Sequence, residues 1–181
     1  MTAMPRTGEE WTVDDLDRLP DDGLQYELLD GLLLVTPAPV LLHQRTIGNL
    51  HLLLRAACTP GYEVFLSPVD WRPDLRTSLQ PDLLVVRNED VAVRNITAPL
   101  VLAVEVLSPS TRRKDLVLKR RSTRTAACSP IGSSTRRHRS WSPSTWSTAA
   151  TSPRTLAGDE RAILHHPFDV EVAPADLIRA P

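Results

Sequence analysis

Two apolar stretches, QPDLLVV at residues 80–86 and LVLAVEVL at residues 100–107, decide the fold of this chain. Each is a near-continuous run of branched apolar residues, which is typical of strands buried on both faces. Each stretch also carries one acidic residue, Asp82 in the first and Glu105 in the second. The sequence therefore predicts two core strands that bring carboxylates toward the interior.

The residues that precede these strands predict a helix, a hairpin and a second helix. WTVDDLDRLP at residues 11–20 indicates a short helix with Thr12 as its N-cap. The runs YELLD and LLLVT are joined by Asp30-Gly31, which is a strong signal for a β-hairpin. Residues 42–57 have apolar side chains at helical spacing, and YEVFLSPVDW at residues 62–71 is extended in pattern.

The residues that follow the two strands complete the pattern of an α/β or α+β domain. STRRKDLVLKR at residues 110–120 predicts a helix capped by Ser110. AILHHPFDVEV at residues 162–172 predicts a hairpin, and PADLIR at residues 174–179 a final helical turn. We expect one domain in which helices flank a small mixed sheet.

Composition excludes several classes of protein. A chain of 181 residues, 41% of them hydrophobic, is long enough for one domain with a core. It has no run of the ~20 apolar residues that a membrane span needs, and its first residues lack the apolar core of a secretory signal. Cys58 and Cys128 have neither metal-ligand spacing nor the pattern of a disulfide framework, so we expect a cytoplasmic protein.

The two acidic residues on the core strands are the first candidates for chemistry. A buried carboxylate costs several kcal/mol unless it is paired, protonated or bound to a metal. Asp82 and Glu105, on successive strands, can converge on one hard cation through their oxygens. Lys119, fourteen residues beyond Glu105 on the predicted helix, can stabilise developing negative charge or orient a water.

Each of these residues also has an ordinary structural interpretation. Glu105 can face solvent on a half-exposed strand, and Asp82 can cap a turn after Pro81. Lys119 follows Asp115 by four residues and can form a helix-surface ion pair. The basic residues around it form either a solvated helix face or contacts to phosphate; they are Arg112, Arg113, Lys114, Lys119, Arg120 and Arg121.

The order of motifs resembles that of the Uma-type restriction endonuclease family in the PD-(D/E)XK nuclease superfamily. The resemblance is carried by YELLDG, by HQRTIGNL on a helix, by QPDLLVV and by VEVLSPSTRRKDLVLKR. It covers roughly residues 10–120 and 156–180. It implies a core of helix, three strands, helix and strand, with Pro81-Asp82 as the first motif and Glu105 as the second.

The resemblance also implies a reaction, a cofactor and a partner. Asp82 and Glu105 would hold Mg²⁺ or Mn²⁺ for hydrolysis of DNA phosphodiesters, with a homodimer as the expected assembly. The usual motif places lysine two residues after the second acidic residue, but Leu107 occupies that position, so Lys119 is selected instead. Arg112, Arg113 and Lys114 are then candidates for DNA contact.

Two further residues, Glu27 and His43, are considered in addition to Asp82, Glu105 and Lys119. Glu27, in the YELLDG strand, is an additional acidic candidate for the site. His43, at the start of a predicted helix, is interpreted as a helix-start or packing residue rather than as a ligand.

Residues 121–155 break the family pattern. They contain six Arg and no Asp, Glu or Lys, and Ser, Thr and Arg supply 22 of the 35 residues. The rest of the chain has 15 basic against 22 acidic residues, a balance of −7. Such a composition cannot bury enough apolar surface to offset its ordering entropy, so we expect one domain from 1–120 and 156–181 with an irregular segment between.

We interpret this segment as a frame-shifted translation. With GC-rich codons read one base earlier, residues 131–141 become Tyr-Trp-Val-Val-Asp-Pro-Ala-Thr-Pro-Glu-Leu, which resembles the strand that similar proteins have after the lysine helix. The alternative is a genuine basic low-complexity loop. The interpretation predicts a protein with weak or no activity.

Three functions therefore stay open at this point. The first is a metal-dependent DNA endonuclease, the second a non-catalytic nucleic-acid-binding or regulatory relic of its fold, and the third a product without activity. The acidic balance outside residues 121–155 argues against strong non-specific DNA binding, because neutralising phosphates requires clustered basic residues.

Overall fold

The computed structural model describes residues 2–4, 10–36, 39–106, 132–135, 140–143, 156–157 and 159–179. The helices in this part are α1 (Val13–Leu16), α2 (Leu41–Ala57) and α3 (Pro174–Ile178). Within the same residues, no helix is both long enough and apolar enough to cross a bilayer. The predicted helix at residues 110–120 lies outside the described residues.

The strands number thirteen in the described residues. They are β1 (Thr2–Met4), β2 (Gln25–Leu29), β3 (Leu32–Thr36), β4 (Tyr62–Leu66), β5 (Trp71–Asp74), β6 (Thr77–Leu79), β7 (Leu83–Arg87), β8 (Leu102–Val104), β9 (Gly132–Thr135), β10 (Ser140–Pro143), β11 (Leu156–Ala157), β12 (Ala162–Leu164) and β13 (Val170–Val172). A short 3₁₀ helix, Asn88–Asp90, follows β7.

Four sheets result from antiparallel pairing of these strands. Their strand orders are β1-β3-β2-β6-β5, β4-β7-β8, β12-β13 and β11-β10-β9. One isolated parallel bridge joins Trp71 to Ile96. The predicted α/β (α+β) class and the N-terminal hairpin are confirmed.

Local sequence signals explain the first elements. Thr12 caps α1 through a reciprocal capping box with Asp15, which satisfies backbone donors at the helix start. Asp30 and Gly31 both have positive φ, 49° and 79°, as the two-residue turn between β2 and β3 requires. The hairpin is in register from Gln25 opposite Thr36 to Leu29 opposite Leu32.

The three-stranded sheet β4-β7-β8 is the central layer, and both of its faces are buried. One face packs against α2 and the C-terminal hairpin through Leu83, Val85, Leu102 and Val104. The other face packs against the five-stranded sheet through Leu84, Val86 and Ala103. Their partners in that sheet include Leu29, Leu34, Trp71 and Leu79. The continuous apolar runs of β7 and β8 are therefore explained by burial on two sides.

The outer layers follow from the remaining clusters. Helix α1 packs Val13 and Leu16 against Leu28 and Leu33, on the far face of the five-stranded sheet. On the opposite side of the molecule, Ile47, Leu50 and Leu54 of α2 share a core with β12, β13 and α3. The order of layers is α1, five-stranded sheet, central sheet, and then α2 with the C-terminal elements.

Strands β9 and β10 lie within residues 121–155, for which the sequence predicts irregular backbone. β10 pairs with β9 on one side and with β11 on the other. The rest of that segment lies outside the described residues, and the domain division stays a prediction.

Candidate functional site

The candidate site lies where the central strands β7 and β8 meet at one end. Leu83 pairs with Val104, and Leu84 with Ala103. Asp82 directly precedes β7 and Glu105 directly follows β8, so the two acidic residues flank the same end of this strand pair.

A hydrogen bond ties Asp82 to the strand that carries Glu105. The backbone N–H of Val106 donates to Asp82 Oδ2 over 2.6 Å. The side chain of Asp82 is 15% exposed, and Glu105 is partly buried. The sequence predicts both carboxylates on successive core strands; in the structure each lies one residue outside its strand, Asp82 before β7 and Glu105 after β8.

His43 is the second group at Asp82. It lies in the first turn of α2, and its Nε2 is 3.2 Å from Asp82 Oδ2. Burial lowers the pKa of His43, but the hydrogen bond and the charge of Asp82, with a smaller contribution from the backbone of Val106, outweigh it and leave this pKa raised. Its other ring nitrogen, Nδ1, is buried and has no hydrogen-bond partner among the described residues.

Glu27 fixes the backbone just before Asp82. Its side chain is on the face of β2 that also bears Leu29, so it points toward the central sheet. It is only 2% exposed, and its Oε1 accepts a hydrogen bond from the backbone N–H of Gln80 over 2.8 Å. The acidic residue predicted from YELLDG is therefore beside the Gln80–Asp82 corner.

The side chain of Gln80 adds further restraint to this corner. Its amide nitrogen donates to Asp70 Oδ1 over 2.7 Å, and its oxygen accepts from Gln25 Nε2 over 2.8 Å. Asp70 in turn accepts from Arg72, which also binds Asp17. The hydrogen bond from Arg72 lowers the pKa of Asp17, so this carboxylate stays ionised at neutral pH.

The metal prediction can be compared with the donor atoms present. Among the described residues, no three His, Cys, Asp or Glu side chains come together as a metal-binding group. Two carboxylates from Asp82 and Glu105 are the oxygen donors that Mg²⁺ and Mn²⁺ prefer, and Mg²⁺ is commonly held by one or two carboxylates with water and phosphate oxygens. Asp82 Oδ1 has no hydrogen-bond partner in the described part of the chain. The donor set fits such an ion.

The basic residues predicted for the site lie outside the described residues. These are Lys119, Arg112, Arg113 and Lys114, and Leu107 lies there as well. Their roles stay predictions.

The contact between His43 and Asp82 was not predicted. The sequence indicates a helix-start or packing role for His43, and the residue lies in the first turn of α2. No spacing rule connects α2 with the start of β7, because β4, β5 and β6 lie between them in the chain. A polar, ring-bearing residue on the core side of a helix was the one available signal.

A layered α/β architecture of this kind occurs in the restriction-endonuclease-like fold. The family model described as "Uma2: Putative restriction endonuclease" matches residues 13–127, more than half of the chain. The chain therefore belongs to this family.

A solved structure agrees in fold. It is the crystal structure described as "a putative nuclease belonging to DUF820" from Anabaena variabilis ATCC 29413, with a TM-score of 0.70 and 13% sequence identity. The superposition covers 93% of this chain and 97% of that one. No curated protein matches the chain.

Proposed function

We propose that this chain carries the site of a divalent-metal-dependent DNA endonuclease, a hydrolase of phosphodiester bonds. Membership of a restriction endonuclease family supports the reaction class. The observation that carries the proposal is that Asp82 and Glu105 flank the paired residues Leu83 and Val104, with Asp82 bound to the backbone of Val106.

In this proposal, Asp82 and Glu105 hold Mg²⁺ or Mn²⁺. A bound ion of this kind acts as a Lewis acid on phosphate and favours hydroxide formation from water at neutral pH. Lys119 orients the attacking water or stabilises charge that develops on phosphate. Arg112, Arg113 and Lys114 bind phosphates of the DNA backbone, which supplies affinity without sequence information.

Residues 121–155 bear on whether this chain is active. We propose that they are a frame-shifted reading and that the chain has little or no nuclease activity. The family match ends at residue 127, early in this segment. A cytoplasmic location and a homodimer complete the proposal.

A second candidate function is a non-catalytic relic that keeps the fold and binds nucleic acid or acts as a regulator. The net charge of −7 outside residues 121–155 argues against DNA binding by such a relic. The composition of residues 121–155 favours loss of catalysis. Metal binding separates the two candidates, because only an intact site binds the ion.

The test measures Mn²⁺ binding by electron paramagnetic resonance of the free ion, with the full-length chain at pH 7.5. We expect one site whose affinity falls at least about tenfold in Asp82→Asn and in Glu105→Gln, because each variant removes an anionic ligand. Asp21→Asn, at an exposed position, is the matched control and should bind like the parent. Parent-like binding by either site variant contradicts the proposal.

Activity is measured on supercoiled plasmid with Mg²⁺. A gene in which the alternative frame is restored over residues 121–155 should encode a protein that nicks DNA, and its Asp82→Ala variant should not. Absence of nicking by the restored protein, together with absence of Mn²⁺ binding, would favour the relic.

A further inference from the structure

We infer that His43 is a positioning residue for the Asp82 carboxylate, fixing Oδ2 so that Oδ1 is the oxygen available to a metal ion. This inference rests on the proposed function, since it assigns a task to a residue beside the proposed metal ligand. We assign His43 no direct contact with the metal ion or with DNA.

The two oxygens of Asp82 have different surroundings. Oδ2 faces two nitrogen atoms, the backbone N–H of Val106 at 2.6 Å and His43 Nε2 at 3.2 Å. Oδ1 has no hydrogen-bond partner among the described residues. Because a carboxylate oxygen only accepts hydrogen bonds, the proton of His43 in this contact is on Nε2.

Two donors on one oxygen restrain the carboxylate more than one donor can. The terminal torsion of an Asp side chain is broad, so a single hydrogen bond leaves the carboxylate free to turn about it. Val106, in the segment after β8, and His43, in the first turn of α2, approach from different parts of the fold. Groups behind a ligand that set its orientation are a recurrent determinant of metal affinity.

The position of His43 is itself fixed by the core. One turn further along α2, Ile47 is buried in the same cluster as Leu83 and Val104, the residues next to Asp82 and Glu105. The helix therefore cannot shift relative to the two strands without disturbing that cluster. Its Nδ1 has no hydrogen-bond partner in the described part of the chain, so Asp82 is the hydrogen-bonding partner of the ring there.

The test compares His43→Ala with His43→Gln in the full-length chain. Glutamine places an N–H at nearly the reach of Nε2, whereas alanine removes the donor. We expect alanine to weaken Mn²⁺ binding about 10- to 100-fold and glutamine to restore it to within about threefold of the parent. His51→Ala, on the same helix and partly buried, is the matched control and should leave the affinity unchanged.

Two results overturn the inference while the proposed function stands. One is parent-like Mn²⁺ affinity in His43→Ala. The other is an equal loss of affinity in the alanine and glutamine variants, with an equal drop in melting temperature, which indicates that the ring only packs. If Asp82→Asn binds Mn²⁺ like the parent, the proposed function fails instead.

A metal-free measurement tests the same contact. The ¹³C resonance of the Asp82 carboxylate should move in His43→Ala and return toward its parent position in His43→Gln. An unchanged resonance in His43→Ala means that the ring does not act on this carboxylate, and the inference is then wrong whatever the metal data show.

Discussion

At the scale of single residues, the β2–β3 turn shows how closely local chemistry and tertiary packing are joined. Gly31 has a φ of 79°, a conformation that costs a residue with a Cβ. A Cβ added to Gly31 would also lie 2.9 Å from the Cβ of Glu10. The position therefore excludes side chains for two separate reasons.

We predict that Gly31→Ala lowers the free energy of unfolding by about 1–3 kcal/mol, because it adds backbone strain and a close contact. Gly48→Ala is the matched control: it lies inside α2, a Cβ there meets nothing within 4 Å, and alanine should raise stability by about 0.5–1 kcal/mol. Urea denaturation followed by circular dichroism measures both. Equal effects of the two substitutions would contradict the prediction.

Residue-level signals differed in what they could predict. The Thr12 cap and the Asp30-Gly31 turn were predictable because each depends on neighbours within a few positions. The apolar neighbours of Asp82 and Glu105 indicated a place at the core strands, although each residue lies one position outside its strand. The contact of Asp82 with His43 was not, because it depends on how α2 crosses the end of the central sheet.

At the scale of elements, α2 is the helix on which the candidate site depends. Its buried side includes Ile47, Leu50 and Leu54, and its N-terminal turn presents His43 to Asp82. Leu54 is fully buried, whereas Leu52, two residues earlier, is 67% exposed. The helix therefore allows the same Leu→Ala substitution at one buried and one exposed position.

Leu54→Ala should destabilise the protein by about 2–5 kcal/mol, because it removes buried methyl groups and leaves a cavity. Leu52→Ala should change the free energy of unfolding by no more than about 0.5 kcal/mol. Thermal or urea unfolding of both variants beside the parent gives the comparison. A small effect at Leu54 would mean that α2 is not packed on the central sheet as described.

The central strands and the hairpins differ in how well the sequence predicts them. β7 and β8 are apolar on both faces, so their type and burial follow from composition alone. β5 and β6 were not separately predicted: Trp71–Asp74 contains Arg72, Pro73 and Asp74, which is no strand pattern. Long-range contacts hold this pair, including the hydrogen bond from Trp71 Nε1 to the carbonyl of Ala98 over 3.0 Å.

At the scale of the whole molecule, the proposed frame shift concerns residues 121–155. The strands Gly132–Thr135 and Ser140–Pro143 fall where the alternative frame reads Trp-Val-Val-Asp and Glu-Leu-Val-Ala. Those alternative side chains include apolar ones that can contribute to a core. In this chain, residues 121–155 as a whole consist mainly of Ser, Thr and Arg.

We predict that restoring the alternative frame raises the melting temperature and sharpens the unfolding transition. Each buried apolar side chain that is regained contributes about 2–5 kcal/mol, against a typical domain stability of about 5–15 kcal/mol. Circular dichroism melts of the two proteins measure this, and the gene sequence should show a lost base near codon 120 with a compensating change near codon 155. Identical cooperative melts would argue for a genuine loop.

In the proposed frame shift, the original frame returns before the C-terminal hairpin, which packs on α2. Leu164, Phe168 and Val172 pack in the same cluster as Leu50 and Leu54 of α2. A ribosome that stopped inside residues 121–155 would release a polypeptide whose α2 lacked this cover, a target for chaperones and proteases. If the proposed frame shift is correct, a return to the original frame before residue 162 keeps the last part of the apolar interior encoded.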